Sequence, residues 1–500
     1  MDDDKNVSSR VVKGVAWMLM LRIALRLLGL LSTMVLARLL TPEDFGIVAI
    51  AMSFFALLTL FKSFGFDTAI IQIKHPEREH YDTAWTFNFI FGMCFAVILA
   101  LCAGWIAEFY DNEELHSLVM AVSLLFVIGS VKNVGTLDFR KNLTFSKEFS
   151  LHIIPKIVGI PVTLYLAYVY RNYWALTIGT LVTTLASIVV GYVMHTYRPR
   201  LSLKYAKELF NFSKWLMANN FIYFINNRSP EMIVGKLLNP QAAGFLSVAS
   251  ETAMVTTTEF AAAVSRASYA GYAKLKDNLH DLKNLYLNVV SSVAFLVFPL
   301  GVGVALTSEL LVPLFLGDQW LEIIPLIRNI AISGIFFSIN SNAGYVLMAL
   351  GKPRLSTMIG FIRVLIFIPV LVVCVYFQGL YGAAMAMLYV SVIMFFVNSF
   401  VAILHLPVTV SDFVKTYLRP FVCSLCMCLA VLSSTEIHSS GEALMDVYRV
   451  LLIVMVAVPA YFSSVYLIWF LSGRPAGPEF KLHEYICLYC SKWMPRTGNG

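Results

Sequence analysis

Four cations stand where the sequence is otherwise apolar: Arg22 and Arg26 in the run that begins near Gly14, Lys156 in the run after Phe149, and Arg363 in the run after Arg354. An ionised side chain inside a bilayer is costly unless it is paired or hydrated, so such residues mark a cavity or an ion path by default. Arg22 and Arg26 are four apart and share one helical face, which Gly29 and Thr33 continue. A guanidinium presents a fork of donors that matches phosphate oxygens, which makes Arg22, Arg26, Lys156 and Arg363 candidates for holding a pyrophosphate. The competing reading is that they snorkel to the headgroups, and Arg26, the deeper of the span-one pair, fits that reading worse than Arg22.

A sugar chain calls for neutral donors, acceptors and flat apolar faces. Asn219, Tyr223 and Asn226 share a face of one run, with Trp215, Asn220 and Asn227 around them. In the next run Glu251 lines up with Ser247 and Thr258. Glu251 has three chemical readings: structural pairing with an arginine, a sugar contact, or a site for a coupling proton or sodium ion. Arg266 and Lys274, just beyond that run, read first as topology markers and second as contacts at a cytoplasmic gate.

The elements that carry these residues follow from composition. Of 500 residues 59% are hydrophobic and 13% charged, more apolar surface than a soluble core of that length hides. Apolar runs of about twenty residues recur, each long enough to cross a hydrocarbon core of ~30 Å as a helix. The alternating pattern of a membrane barrel is missing. Fourteen spans are predicted, at 14–38, 45–65, 84–108, 115–136, 148–170, 173–195, 209–227, 242–264, 284–307, 325–349, 355–377, 379–403, 417–435 and 446–471. The first lacks a small-residue cleavage site and reads as a retained span.

Alternate connections hold nearly all the cations, among them Arg140, Lys141 and Lys147, Arg198 to Lys207, Arg266 to Lys283, and Lys415 with Arg419. The positive-inside rule makes those loops and both termini cytoplasmic. The net charge of +7 therefore reports orientation, and no nucleic-acid partner is expected. Cys487 and Cys490 form one C-x-x-C near His483, short of the four ligands of a structural zinc site. Phosphate-loop, zinc-protease and hydrolase motifs are absent, and neither a cofactor nor a resident metal is expected.

An internal repeat organises the chain. MVLARLLTPEDFGIVAIA at 34–51 matches MIVGKLLNPQAAGFLSVA at 232–249, aligning Pro42 with Pro240 and Gly46 with Gly244. A weaker echo sets Ile160-Pro161-Val162 beside Ile368-Pro369-Val370 and brings Lys156 and Arg363 to nearly equivalent points. The offset of 198 residues spans six runs, an even number, so the halves insert in the same orientation, as parallel-repeat transporters do. Such halves can rock against each other and open a central cavity to either face in turn.

Over about residues 10–405 the chain resembles the lipid-linked oligosaccharide flippases and polysaccharide exporters of the multidrug/oligosaccharidyl-lipid/polysaccharide superfamily, the colanic-acid and O-antigen type. The resemblance is carried by LARLLTPEDFG at 36–46, FGFDTAIIQ at 64–72, FRKNLTF at 139–145, GKLLNPQAAG at 235–244 and LVPLFLGDQW at 311–320. It implies an all-α membrane protein with a six-helix lobe at 1–205, a second at 206–405, two further helices within 406–472 and a cytoplasmic tail at 473–500. It also implies a transporter, not an enzyme, in a bacterial inner membrane. Its substrate would be an undecaprenyl-pyrophosphate-linked oligosaccharide for surface polysaccharide, its neighbours membrane lipids, a polysaccharide polymerase and glycosyltransferases. Its energy would come from a proton or sodium gradient or from the membrane potential. Arg22 and Arg26 are not part of that resemblance. The rivals are a cation-coupled drug exporter of the same superfamily, which calls for about twelve spans and buried acids, and a membrane polymerase or glycosyltransferase, which calls for a long outer loop.

Overall fold

The computed structural model describes residues 2–62, 66, 70–71, 73, 76–142, 144–434, 441–474, 479–480 and 484, without the side chains of 2–16, 19, 62, 207–220 and 223. Among the described residues the regular structure is helical, with no strand.

Short local signals divide the apolar runs into helices. Helix α1 (Asp2–Leu39) gives way to α2 (Pro42–Lys62) at Thr41. There the Thr41 N–H and hydroxyl donate to Asp44 Oδ2 at 2.8 and 2.7 Å, and the Asp44 N–H donates back to Thr41 Oγ1 at 3.3 Å. Pro42 fills a first-turn position whose N–H would have no acceptor in the helix. The second repeat copy begins α8 (Pro240–Lys274) after α7 (Ala206–Leu237) in the same way, with Asn239 Oδ1 accepting the Ala242 N–H at 2.8 Å. Between them lie α3 (Arg78–Phe109), α4 (Glu114–Ser130), α5 (Phe145–Tyr170) and α6 (Trp174–Met194).

Beyond α8 run α9 (Leu279–Leu311) and α10 (Ile324–Ala349). The stretch Pro353–His405 is helical except at Gly379, where φ 59° and ψ −141° divide it into α11 (353–378) and α12 (380–405). A Cβ on Gly382 would stand 2.0 Å from the Cys374 carbonyl oxygen. Eight residues of straight helix would separate those positions by ~12 Å, so the chain turns back at the break. Helices α13 (Val410–Ser434) and α14 (Ala443–Leu471) complete the fourteen long helices, in the order that hydropathy predicts.

Length and hydropathy alone pass ten helices as membrane-spanning, or eleven with the bent pair 114–130 and 134–141. That test takes α11 and α12 as one and leaves out α7 and α8, the latter carrying Glu251 and Glu259. Large apolar side chains lie open along many helices, with Leu101 79% and Val193 81% exposed, a surface suited to lipid and not to water. The chain is a multi-pass, all-α membrane protein.

Two compact units divide within α8, at Met1–Ser247 and Val248–Gly500. In the first, α1 packs on α5, α5 on α6, α3 on α4, and α2 on α4 and α7. Its core includes Ile47, Ile50, Leu99, Ile106, Leu115 and Phe126. In the second, α9 packs on α10 and α13, α10 on the α11–α12 hairpin, and α13 on α14, around Val290, Val293, Val297, Ile335 and Phe413.

Candidate functional site

In the first unit, Arg22 and Arg26 are half-buried one turn apart on α1, away from the exposed stripe of Ile23, Leu27, Leu31 and Val35. Arg26 Nε is buried with no hydrogen-bond partner among the described residues. A Cβ on Gly29 would meet nothing within 4 Å, so open space adjoins the face that carries both arginines. Lys156, on α5, is exposed beside Ile157 and Val158 and makes no ion pair among the described residues.

In the second unit a cavity of about 190 Å³ lies between α10 and the α11–α12 hairpin. Arg363 projects into it and lies over the Phe337 ring, 4.7 Å from the centroid. The ring face holds the cation without neutralising it. Arg363 Nε is buried and unpartnered among the described residues, while Asn340, Ser341, Ser356 and Asn398 line the same space. Some of that polarity is spent locally, since Asn340 Nδ2 donates to the Ser391 carbonyl at 3.1 Å and Asn398 Nδ2 to the Met394 carbonyl at 2.8 Å. Gly344 and Gly360 leave the cavity its width. A guanidinium with free donors, hydroxyls and amides can take an anion there. Lys156 and Arg363, nearly equivalent in the repeat, thus have different surroundings.

Asn226 donates from Nδ2 to the Ile222 carbonyl at 2.9 Å, and its buried Oδ1 has no partner among the described residues. The side chains of its helical neighbours Asn219 and Tyr223 lie outside the described residues, as do Cys487 and Cys490. Glu251 is half-buried and makes no hydrogen bond or ion pair among the described residues. Arg266, exposed, donates from Nε to the Ala262 carbonyl at 2.9 Å, and Lys274 is exposed in the last turn of α8.

Three arrangements escape the sequence reading. The first joins the two repeat copies: a Cβ on Gly46 would stand 1.7 Å from the Pro240 carbonyl oxygen, and one on Gly244 would stand 1.9 Å from the Pro42 carbonyl oxygen. The aligned Pro and Gly of each copy therefore pack reciprocally on those of the other, at the N-terminal ends of α2 and α8. Around this contact the buried Glu231 accepts from Arg228 Nη1 at 3.1 Å and from Ser53 Oγ at 3.4 Å. The Tyr110 hydroxyl donates to the Met232 carbonyl at 3.1 Å, and burial pushes that phenol up to about 12, so it remains a neutral donor. Lys236 pairs with Asp111 at 3.3 Å.

The second is a clamp at the opposite, basic end of the same unit. Asn133 Nδ2 donates to the Gly191 and Tyr197 carbonyls, each at 3.2 Å, while its Oδ1 accepts the Gly135 N–H at 2.9 Å. The basic residues of FRKNLTF take part, with Arg140 bonded to Glu148 and Lys141 Nζ donating to the Ile73 carbonyl at 2.6 Å. Counting these cations as topology markers gives no hint that they also fasten loops. The third is a file of buried hydroxyls in the second unit: Ser333 Oγ meets Ser391 Oγ at 2.9 Å, and Ser265 Oγ donates to Asn342 Oδ1 at 2.9 Å. Serines scattered through apolar runs carry no spacing signal that would group them.

The sequence profile of a family described as polysaccharide biosynthesis protein matches residues 35–325, more than half of the chain. Among curated proteins the chain is 25% identical over 402 residues to the lipopolysaccharide biosynthesis protein WzxC of Escherichia coli (strain K12), covering 80% of this chain and 82% of that one. Among solved structures it is similar to the lipid II flippase MurJ in an inward closed conformation, with a TM-score of 0.75 at 15% identity over 90% of this chain and 99% of that one. It is also similar to an inward-facing multidrug resistance MATE family transporter of the MOP superfamily, with a TM-score of 0.59 at 14% identity over 76% and 94%.

Proposed function

The chain belongs to the polysaccharide biosynthesis protein family and has the fold of the MurJ and MATE transporters, and from that premise we propose that it is a flippase for lipid-linked oligosaccharides. The substrate is an undecaprenyl-pyrophosphate-linked repeat unit, moved from the cytoplasmic to the periplasmic leaflet of a bacterial inner membrane for surface polysaccharide assembly. WzxC, a lipopolysaccharide biosynthesis protein, and MurJ, a lipid II flippase, support that substrate class. Both termini are cytoplasmic in this reading, and the basic loops support it.

The observation that carries the chemistry is the pair of buried guanidinium nitrogens, Arg26 Nε and Arg363 Nε, that face no acceptor among the described residues. Buried donors are normally satisfied, so a donor kept open inside a membrane protein suits an anion that comes and goes. Hydrated phosphate oxygens meet this need, and Arg22 and Lys156 add positive charge along the first unit. Asn226 and Glu251 are the described candidates for the sugar part, with Arg266 and Lys274 near the cytoplasmic mouth. Outward movement of about two negative charges through the whole field releases roughly 4–5 kcal/mol per 100 mV of inside-negative potential. A proton or sodium ion on Glu251 is the alternative source of coupling. The unit so delivered passes to a polymerase, and glycosyltransferases supply it.

Complementation of a flippase-null strain tests the reading, with surface polysaccharide and membrane protein level measured together. Arg26→Ala and Arg363→Ala each lose export while the protein inserts normally, and Lys at either position restores part of it, because an ammonium keeps the charge but not the fork. Leu27→Ala, on the exposed apolar stripe of α1, keeps export. Full export by both alanine variants at normal protein level refutes the anion site.

A further inference from the structure

Residues 324–405, which hold all of α10, α11 and α12, contain neither aspartate nor glutamate. Those three helices supply the lining of the Arg363 cavity, so no acid on its walls can balance the guanidinium. Arg363 makes no hydrogen bond or ion pair among the described residues, and the Phe337 face attracts its charge without cancelling it. A charge held inside a fold with no partner is strongly unfavourable, so the cavity calls for a counter-ion even when no substrate is bound.

The polar groups around Arg363 suit an anion. Ser356 Oγ makes no hydrogen bond among the described residues, which leaves its O–H for an occupant. Asn340 and Asn398 each give one carboxamide N–H to a backbone carbonyl and keep a second. Two magnitudes then narrow the choice. At about 190 Å³ the cavity falls below the roughly 300–1,000 Å³ of small-molecule sites, so it takes an ion with a few waters and not a sugar unit. One guanidinium carries one charge, and a monovalent anion cancels it.

The cavity extends ~10 Å along the helices at 1.5 Å per residue, from Arg363 and Phe337 to Ser356 and Gly344. Ser356 stands in the first turn of α11 and Gly344 near the end of α10, at the connection that carries Lys352. A Cβ on Gly344 would lie 3.4 Å from Ser356 Oγ, so a large side chain there fills this end.

We propose that the cavity is a site for one chloride ion, admitted from the basic-loop side, which balances Arg363 until the pyrophosphate of the substrate displaces it. The inference rests on the reading of Arg363 as an anion seat and adds the occupant that precedes the substrate. Displacement follows from geometry, because phosphate oxygens match the guanidinium fork and a spherical ion does not.

Equilibrium binding of radioactive chloride to the purified full chain, in detergent with gluconate as the other anion, tests this. The wild type binds about one ion per chain, and excess inorganic pyrophosphate releases it. Arg363→Gln weakens binding by roughly 30-fold or more, since it removes one partner of a buried charge pair. Gly344→Leu keeps the charge and slows exchange of the ion, which provides a second variant if Arg363→Gln fails to insert. Wild-type chloride binding by Arg363→Gln, or loss of the ion in Arg26→Gln instead, overturns the proposal. Chloride that stays bound against excess pyrophosphate overturns the exchange and removes Arg363 from the substrate path. Export by a wild-type chain that binds no chloride overturns the chloride site alone and leaves the flippase reading standing.

Discussion

Substitution of Gly46 by alanine tests whether the reciprocal contact between the repeat copies is the seal of a rocking transporter. The added Cβ would lie 1.7 Å from the Pro240 carbonyl oxygen, backbone that cannot swing aside as a side chain can. Ordinary contact begins near 3.4 Å, so α2 and the start of α8 must part by roughly 1.7 Å. Overpacking of this kind costs about 1–3 kcal/mol. If the strain is relieved in the conformation where these ends separate, the ratio of the two conformations shifts by about 5- to 150-fold. Ile50, fully buried and against Gly235, reports the change as a cysteine. Labelling of Ile50→Cys by an impermeant thiol reagent from outside accelerates by that factor in the Gly46→Ala background. Gly244→Ala does the same, and the double variant adds little because both act on one contact. Gly303→Ala, where a Cβ meets nothing within 4 Å, leaves labelling unchanged. Wild-type export by Gly46→Ala with Ile50→Cys still protected would refute the seal.

Cysteines at Asn112 and Gly441 react with an impermeant thiol reagent from outside, and those at Lys204 and Asp277 react only after permeabilisation; the reverse pattern inverts the topology. Asn133→Ala frees two carbonyls and the Gly135 N–H, lowering stability by about 1–3 kcal/mol, read as a lower unfolding temperature in detergent. An unchanged melting curve removes Asn133 from the clamp.

Spans were legible because bilayer thickness sets helix length, and length is a property of one segment at a time. The repeat exposed the kinship of Pro42 with Pro240 and of Gly46 with Gly244, though not the caps at Thr41 and Asn239 that start the two helices. Packing was not. Gly46 and Gly244 align by identity, yet only the folded chain shows that each abuts the other's proline carbonyl. Arg363 was visible as an intramembrane cation, but its seat on Phe337 joins residues 26 apart through helices whose facing sides hydropathy does not specify. Glu231 fell in a predicted loop beside Arg228, where an acid attracts no notice, because the prediction ended the seventh span at 227 while the helix continues to Leu237.

The repeat also explains where chemistry has room to arise. A duplicated segment starts with two copies of every residue, and residues that pack reciprocally on their own copies must stay small and alike, as Pro42 with Pro240 and Gly46 with Gly244 do. Elsewhere the copies are free to diverge. The same 198-residue offset pairs Ser53 with Glu251 and Thr33 with Glu231, so at both places the second copy has an acid where the first has a hydroxyl. At one of them the structure shows the outcome: Glu231 of the second copy accepts from Ser53 of the first, beside the glycine contact. A change from like-with-like to acid-with-hydroxyl turns a packing contact into one that a proton or cation can weaken. The acid at 231 is therefore a position at which a proton or cation would act on the contact that Gly46→Ala perturbs sterically.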